Sequence, residues 1–297
     1  MSTPGTSDPE AFVEVADRVW VARHAWYDVN VTVIGGAAGL VVVDTLASEA
    51  AASPMRDRVR RLVSPTTPVV AVVNTHEHHD HVLGNAVFTD AWPDLVVHAH
   101  EEAADRIPTV VPASVAARVA AGEPRAAEMA ASRVVVPTQT LSSVGALDLG
   151  DRYVELVHPG RAHTAGDLCL RVPDADLLVA GDVVEAADDP ALAVPAYGDD
   201  SWPLDWPAAL DLVVGVTTPA SVVVPGHGPV VDRAFVEAQR EGVATVASTI
   251  ADLAGRGVRP GDALGASTWP WPVDRLTEAV RRGFAQLPPG ARRLPMA

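Results

Sequence analysis

The sequence predicts an α/β protein, on three observations. Short runs of β-branched residues alternate with helical stretches along most of the chain, a pattern typical of α/β folds. The chain has 297 residues, 48% of them hydrophobic, so it can bury a large core. Several of the β-branched runs end in a polar residue followed by a glycine or histidine loop. Such loops at strand ends are where an α/β fold commonly carries its functional residues.

The periodicity predicts the individual elements in order. The β-branched runs indicate strands at residues 12–15, 19–22, 29–35, 40–44, 69–74, 95–98, 153–158, 168–172, 177–180 and 221–224. Helical spacing indicates helices at residues 48–62, 84–89, 113–131 and 206–214. After Pro229 the pattern becomes helical: Asp232 can cap a helix with apolar residues from Val236 to Leu253, and residues 274–286 form another.

These patterns divide the chain into three parts. Residues 1–10, rich in Ser, Thr, Pro and Gly, are expected to form a flexible tail. Residues 11–233 are expected to form the main domain. Residues 234–297 are expected to be a C-terminal helical extension packed on it, because they contribute no metal-ligand side chain.

Composition excludes several kinds of chemistry and partner. All 22 basic residues are arginine, so Schiff-base and pyridoxal-phosphate chemistry and a phosphate-loop lysine are excluded. The net charge of -16 disfavours nucleic acid and anionic membranes as partners. Cys169 stands alone, so no intrachain disulfide can form. No signal peptide or long apolar run is evident, and we expect a cytoplasmic protein with a small-molecule substrate and no membrane partner. The oligomeric state is not predicted.

The most informative feature is a cluster of histidines. Five of the ten histidines, with two aspartates, lie in loops after strands, and the densest group spans residues 74–81, Asn-Thr-His-Glu-His-His-Asp-His. Imidazoles and carboxylates crowded at the end of a buried strand favour a bound cation, because otherwise they desolvate and repel one another. Mixed nitrogen and oxygen ligands favour zinc or iron over magnesium or calcium. A solvated histidine turn is the alternative interpretation.

Five motifs in order carry a resemblance to a known family. They are Val-Val-Val-Asp-Thr at residues 41–45, His-x-His-x-Asp-His at 76–81, His-Thr-Ala-Gly-Asp at 163–167, Ala-Gly-Asp at 180–182 and Pro-Gly-His-Gly at 225–228. From about residue 13 to 229 the chain resembles the metallo-β-lactamase superfamily. The resemblance implies an αββα sandwich of two similar halves, with the site at the sheet edges where these loops meet.

The resemblance also implies a set of ligands and a mechanism. One metal ion would bind to His76, His78 and His163, and a second to Asp80, His81 and His227, with Asp182 as the bridge. The implied cofactor is two Zn²⁺ ions, or alternatively iron. A bridging hydroxide would attack a carbonyl or phosphoryl centre, and Asp80 would orient it and shuttle its proton. Asp44 would support the ligand loops from behind, or it is an ordinary aspartate at a strand end.

The resemblance narrows the substrate without naming it. Asp182 stands where zinc β-lactamases have a cysteine or a non-ligating residue, so an ester, thioester or lactone is favoured over a β-lactam. Without lysine, any anchor for a substrate carboxylate must be an arginine, and Arg161 is the candidate because it precedes His163 in the same loop. Trp26 and Tyr27 could form a flap over the site. His-Val-Leu-Gly-Asn at 81–85 and the helical tail resemble glyoxalase-II-like and quinoprotein-relay-type hydrolases.

Alternatives remain open beside this dinuclear zinc hydrolase. They are a mononuclear iron persulfide dioxygenase, a β-lactam hydrolase, a nuclease, which the negative charge disfavours, and a non-catalytic metal-binding module. Glu77 and His79 occupy variable positions of the motif, and His79 is expected to face solvent or to support a ligand. His98, His100 and His158 are expected to be structural.

Overall fold

The structure, a computed structural model, describes residues 10–288 and contains two mixed β-sheets in that range. The first sheet holds seven strands in chain order: β1 (Val13–Ala16), β2 (Val19–His24), β3 (Val29–Gly36), β4 (Gly39–Val43), β5 (Val69–Val73), β6 (Val96–His100) and β7 (Gln139–Leu141). Strands β1 to β4 pair antiparallel, and β4 to β7 pair parallel. The parallel strands therefore end at a common edge.

The second sheet has six strands in the spatial order β13, β12, β11, β10, β9, β8. Their bounds are β8 (Val144–Asp148), β9 (Tyr153–Val157), β10 (Cys169–Val172), β11 (Leu177–Gly181), β12 (Val222–Pro225) and β13 (Val231–Asp232). The pair of β11 and β12 is parallel, and the other pairs are antiparallel. One antiparallel bridge, between Val29 and His227, joins the two sheets at the edge that carries the histidines.

Helices cover the outer faces of both sheets. Their bounds are α1 (Glu49–Leu62), α2 (His79–Val82), α3 (Asn85–Ala91), α4 (Glu101–Ala120), α5 (Ala126–Ala130), α6 (Trp206–Val216), α7 (Arg233–Gly255), α8 (Pro260–Ala263) and α9 (Thr277–Gln286). Short 3₁₀ turns occupy Pro173–Ala175, Pro190–Leu192, Leu264–Ala266 and Val273–Arg275. None of the helices in this described range is long and apolar enough to cross a bilayer.

Three apolar layers hold the two sheets and most of the helices together, and a fourth cluster packs α2, α4 and α5. Between the sheets, Val and Leu side chains of both pack into one core, for example Val41 and Val73 against Leu170 and Val179. The other face of the first sheet packs against α1 and α3, and that of the second sheet packs against α6, α7 and α9. Alternating side chains let each strand serve two cores, which suits strands buried on both faces. The predicted αββα sandwich is confirmed.

The predicted elements agree with the structure except in a few places. The helix predicted at 113–131 is wrong in its bounds, because α4 begins at Glu101 and a break separates it from α5. Pro108 and Pro112 lie inside α4, where each removes a backbone hydrogen bond, and the buried face that includes Ile107 and Val111 stabilises the helix despite them. Strands β7, β8 and β13 escaped prediction because they are short and partly exposed.

The C-terminal helices pack directly on the main domain. Asp232 caps α7 as predicted, since its side chain accepts a hydrogen bond from the Phe235 amide. The buried stripe of α7 and the buried face of α9 share one core cluster with α6 and the second sheet. Their apolar surface is therefore continuous with that of residues 11–233. The predicted tail, apart from Glu10, and the last nine residues of the predicted extension lie outside the described residues.

Candidate metal centre

Seven candidate ligands meet where the two sheets join. His76 lies in the loop after β5, and His163 lies in the loop between β9 and β10. His227 follows β12, and Asp182 follows β11 directly. The other three lie in or at the start of α2: His78, Asp80 and His81. Four strand ends or loops and the helix α2 thus deliver side chains to one place, as the parallel pairing of β4 with β5 and of β11 with β12 allows.

Close backbone approaches bring these loops together. A Cβ atom at Gly226 would overlap the Asp182 carboxylate, and one at Gly84 would overlap the Thr45 carbonyl. Gly181, whose φ of +54° is unfavourable for other residues, would place a Cβ 2.7 Å from that of Thr75. Glycine at these positions therefore permits the spacing of the ligand loops.

The first group of ligand atoms comes from His76, His78, His163 and Asp182. The Nε2 atom of His163 lies 2.9 Å from Nδ1 of His78 and 3.3 Å from Oδ2 of Asp182. Nε2 of His76 lies 3.7 Å from the same carboxylate oxygen. Three nitrogens and one oxygen thus converge on a small buried volume.

The second group comes from Asp80, His81 and His227. The Nε2 atoms of the two histidines are 3.3 Å apart, and Oδ2 of Asp80 lies 3.7 Å from the first and 3.6 Å from the second. Asp182 reaches this group too, with Oδ1 at 3.4 Å from His81 Nε2 and Oδ2 at 3.1 Å from His227 Nε2. Asp182 therefore stands between the two groups.

The donor set fits divalent cations. Nε2 of His76 and Oδ1 of Asp182 are buried and have no hydrogen-bond partner among the described residues. Buried polar atoms without a partner are rare, and each needs an explanation such as an ion. Imidazole nitrogens and carboxylate oxygens converging in this number are ligands that zinc and similar metals accept. Both groups can hold a cation, with His76, His78 and His163 at one ion and Asp80, His81 and His227 at the other.

Side chains orient the ligand rings that come from the first half of the chain. Nδ1 of His81 lies 2.8 Å from Oδ2 of Asp44, and Nδ1 of His76 lies 3.0 Å from the Thr75 hydroxyl. Asp44 also accepts hydrogen bonds from the amide and the hydroxyl of Thr75. Its own backbone is left-handed, with φ of +60°. Asp44 therefore contacts both His81 and the loop that carries His76.

His78 depends on a residue far along the chain. Its Nε2 atom lies 3.1 Å from Oδ2 of Asp200, which also accepts from the Arg106 guanidinium at 3.1 Å. Arg106 in turn donates to the fully buried carboxylate of Glu77 at 2.6 Å. Sequence reasoning missed Asp200 and Arg106, because no local pattern links residues 122 positions apart.

Main-chain carbonyls orient the two histidines of the second half. Nδ1 of His163 donates to the Ala196 carbonyl at 3.1 Å, and Nδ1 of His227 donates to the Tyr27 carbonyl at 2.7 Å. Tyr27 and Asp28 both have positive φ, near +63° and +62°, so this carbonyl is presented by an unusual turn. In all five rings one nitrogen is held by the protein and the other points into the cluster, as metal-binding histidines require.

In the absence of a metal ion, the pKa values of the ligand histidines are shifted in opposite directions. Burial lowers the pKa of His163 to about 4. Burial acts in the same direction on His78, but its hydrogen bond to Asp200 prevails and raises the pKa to about 9. For His81, burial is outweighed by the charges of Asp182 and Asp44, and the pKa rises to about 9. Burial would raise the pKa of Asp80, but the neighbouring histidines hold it well below its usual value, so this carboxylate is ionised at neutral pH.

Both variable positions of the histidine motif are buried. His79 is 4% exposed, and its Nδ1 atom lies 3.3 Å from Oδ1 of Asp80. Its Nε2 atom accepts a hydrogen bond from Arg118 at 2.8 Å, so the ring proton is on the nitrogen that faces Asp80. Of the two predicted roles for His79, facing solvent or supporting a ligand, the structure places it in the second.

A cavity of about 1220 Å³ opens onto the cluster. Ligand atoms form its base, and α4 and residues 192–202 form much of its wall. Tyr27 lines it, whereas Trp26 stacks on Tyr27 and borders a separate pocket of about 130 Å³. Arg161 does not line the cavity, because its guanidinium pairs with Asp205 at 2.7 Å and lies 3.9 Å from the Trp202 ring. The arginines that do line it are Arg106, Arg118, Arg275 and Arg282.

Fold and site together define a metal-dependent hydrolase with an αββα sandwich. The model of the metallo-beta-lactamase superfamily matches residues 24–227, more than half of the chain. The chain belongs to that superfamily.

Curated relatives carry different activities. The chain is 25% identical over 224 residues to the metallo-beta-lactamase type 2 of Bacillus cereus, covering 73% of this chain and 76% of that protein. It is 33% identical over 183 residues to the acyl-coenzyme A thioesterase MBLAC2 of Bos taurus, covering 59% and 61%. A shorter match, 42% over 53 residues, is to the hydroxyacylglutathione hydrolase of Gloeobacter violaceus, covering 18% and 21%.

Solved structures share the fold. The metallo-beta-lactamase from Pontibacter korlensis superposes with a TM-score of 0.59 at 20% identity, covering 78% of this chain and 98% of that one. The sec-alkylsulfatase Pisa1 from Pseudomonas sp. superposes with a TM-score of 0.74 at 18% identity, covering 93% of this chain and 50% of that one. Coverage of 93% extends into the C-terminal helices, so their placement also has a structural precedent.

Proposed function

We propose that the protein is a dinuclear zinc hydrolase that cleaves a small ester, thioester or lactone, with thioesters foremost. The observation that carries this proposal is the position of Asp182, whose two oxygens lie within 3.7 Å of histidine nitrogens from both ligand groups. A carboxylate in that position could contact two cations at once, and both cations could then act on one substrate. Two such cations, when bound, would lower the pKa of a shared water to about 7 and polarise the substrate carbonyl.

Asp80 is the residue to which we assign proton transfer. Its Oδ2 atom faces the ring nitrogens of His81 and His227, while its Oδ1 atom is held by the Nδ1 proton of His79. Because Oδ2 faces both histidines of the second group, it is placed to accept the proton of the attacking water. The same atom can then return the proton to the departing thiolate or alkoxide.

The substrate class is supported by the relatives and by the cavity. Two of the relatives are named for thioester hydrolysis, an acyl-coenzyme A thioesterase and a hydroxyacylglutathione hydrolase. The cavity is larger than the roughly 300–1,000 Å³ of most small-molecule sites, which suits a substrate with an acyl part and an extended leaving group. β-Lactam hydrolysis is the second candidate, because the Bacillus cereus enzyme matches 73% of this chain.

An iron persulfide dioxygenase is the alternative from another reaction class. Such an enzyme needs one metal ion, whereas Asp80, His81 and His227 form a second complete group in this protein. The expectations of a cytoplasmic location and of no nucleic-acid partner stay predictions, the second based on the net charge of -16.

Metal analysis combined with a substrate panel tests the proposal. Purified protein loaded with zinc should hold about two ions per chain and hydrolyse a thioester faster than an oxygen ester, a lactone or a β-lactam. Replacing His76 with Ala should remove metal and activity together, whereas His98→Gln, a histidine outside both ligand groups, should retain them. One iron per chain with oxygen uptake on a persulfide, or no turnover of any ester with two ions bound, would overturn the proposal.

A further inference from the structure

The C-terminal helical segment contributes two arginines to the wall of the catalytic cavity. Arg275 ends the 3₁₀ turn Val273–Arg275, and Arg282 lies in α9. The sequence indicates only that this segment is an extension without a part in the site. Its arginines instead lie in the same cavity as the metal ligands.

Specific contacts fix this wall in place. Nε of Arg282 donates to the Ser201 carbonyl at 2.8 Å, and the guanidinium lies 5.3 Å from the centre of the Trp202 ring. Further along α9, the Gln286 side chain accepts a hydrogen bond from the Leu204 amide at 3.1 Å. Between them Gly283 packs so closely that a Cβ would lie 2.9 Å from Ile250. Helix α9 and residues 201–204 therefore form one surface.

The two arginines are also unusual in their lack of a carboxylate partner. Within residues 10–288, the arginines with no carboxylate oxygen within 4.0 Å are Arg60, Arg61, Arg275 and Arg282. In a chain with a net charge of -16, most arginines find an acidic neighbour. By contrast, the other two arginines of the same cavity have partners. Arg106 pairs with Asp200 and Glu77. Arg118 pairs with Glu123 and donates a hydrogen bond to His79.

We propose that Arg275 and Arg282 form an anion-binding rim that selects thioesters with a carboxylate or phosphate on the thiol part. This inference rests on the proposed thioesterase function. The guanidinium fork matches both oxyanions with paired hydrogen bonds, and its charge is not already neutralised at this rim. The acyl carbonyl would lie over the metal cluster at the base, and the anionic group would lie at the rim.

Two matched pairs of substrates test the rim and distinguish the two anions. The first pair is the butyryl thioester of pantetheine and that of 4′-phosphopantetheine, which differ by one phosphate. The second pair is the butyryl thioester of glutathione diethyl ester and that of glutathione, which differ by two carboxylates. We expect the wild-type enzyme to prefer the anionic member of at least one pair in kcat/KM, chiefly through a lower KM.

Neutral substitutions should reduce that preference. Arg275→Gln and Arg282→Gln should each lower the ratio of anionic to neutral kcat/KM about tenfold, because each removes a charge-assisted hydrogen bond. Glutamine keeps a donor for the Ser201 carbonyl, so Arg282→Gln should fold. Arg259→Gln is the matched control: it removes the same charge from the same C-terminal segment, from an exposed side chain that pairs with Asp262 and does not line the cavity, and it should leave the ratio unchanged.

Removal of a negative charge from the cavity should have the opposite effect on the preference for anionic thioesters. Asp199 is exposed and lines the same cavity, so Asp199→Asn should raise the preference for the anionic thioester by about twofold to threefold through reduced repulsion. A preference that stays intact in the Arg275→Gln, Arg282→Gln double variant would overturn the proposal. So would a wild-type enzyme that hydrolyses both members of each pair equally.

Binding measurements with non-hydrolysable analogues test this inference independently of the proposed hydrolysis. The non-hydrolysable S-butyl thioethers of pantetheine and 4′-phosphopantetheine, and those of glutathione diethyl ester and glutathione, can be titrated into the zinc-loaded protein by calorimetry. If no thioester is hydrolysed, the proposed function fails, and binding alone decides on the rim. Tighter binding of an anionic thioether that the double variant loses supports the rim, and equal Kd values in wild type and double variant overturn it.

Discussion

The two halves of the molecule orient their ligand histidines by different means. In the first half, His76, His78 and His81 are held by the side chains of Thr75, Asp200 and Asp44. In the second half, His163 and His227 are held by main-chain carbonyls. Side-chain partners can carry charge, and main-chain partners cannot.

The difference has an electrostatic consequence. The carboxylate partners of His78 and His81 help to raise the pKa of these rings to about 9, whereas burial lowers the pKa of His163, which is held by a carbonyl, to about 4. For His227, which is also held by a carbonyl, burial is outweighed by the charge of Asp182, and the pKa is raised, so the outer partner is one cause of these shifts among several. A carboxylate partner makes a ring a stronger ligand, and a carbonyl partner fixes its direction with less effect on its basicity. The partners in the first half can therefore be altered by side-chain substitutions, whereas the carbonyls that hold His163 and His227 can be altered only through the backbone.

The largest effect is expected from a change to the backbone of the second half. In Gly226→Ala the new methyl group would overlap the Asp182 carboxylate, so either Asp182 or the end of β12 must shift. Because Asp182 serves both ligand groups, we expect loss of both metal ions. Activity should fall by more than the roughly 10- to 100-fold that follows the loss of one orienting partner. Metal analysis of the purified variant and its kcat/KM test these two expectations.

Gly215→Ala is the control for that change. Gly215 lies in α6, and a Cβ there would meet nothing within 4 Å, so metal content and activity should be unchanged. A Gly226→Ala enzyme that keeps two ions and full activity would show that the main-chain arrangement of the second half is not required.

A smaller effect is expected from the first half, in Asp44→Asn. Asparagine tolerates the left-handed backbone at this position, but its amide would present N–H to the Nδ1 proton of His81, or the ring would change tautomer. We expect about 10- to 100-fold weaker metal binding, mainly at the group that contains His81. Competition with a chelator of known zinc affinity measures it.

Asp176→Asn provides the comparison for Asp44→Asn. Asp176 is also left-handed, with φ of +46°, and its carboxylate accepts hydrogen bonds from Thr218 and Ser221 outside both ligand groups. The Asp176→Asn protein should bind metal as tightly as the wild-type protein does. Equal affinities in all three proteins would mean that Asp44 acts only as a strand-end aspartate.

The smallest effect is expected from Asp200→Asn. The Asp200 side chain is 12% exposed, so water can take over part of its hydrogen bond to His78. We expect about tenfold weaker metal binding, at the lower end of the range for an orienting partner. Asp199→Asn, the neighbouring residue, should leave metal affinity unchanged. A loss larger than that of Asp44→Asn would mean that His78, and not His81, depends more on its carboxylate partner.

Much of this site could be predicted because its chemistry is local in sequence. His76, His78, Asp80 and His81 lie close together along the chain, after a strand whose apolar run is plain, and the other ligands each follow a readable strand. The supporting role of Asp44 was predictable only through the resemblance, because its place at a strand end fits an ordinary aspartate equally well. By contrast, the prediction for Arg161 rests on its nearness to His163 along the chain, and in space Asp205 and Trp202 hold it away from the cavity.

The sequence by itself determined the fold class, because strand periodicity is a local signal. Its short motifs, through the resemblance that they carry, also implied the αββα layers and the seven residues that meet at the cluster. Only the tertiary structure decided which groups hold the outer nitrogens of the rings and which arginines reach the cavity. Asp200 lies 122 positions from His78, and the Tyr27 carbonyl lies 200 positions from His227. Such contacts arise from the packing of two sheets and a C-terminal helix, and packing brings together residues that share no pattern along the chain.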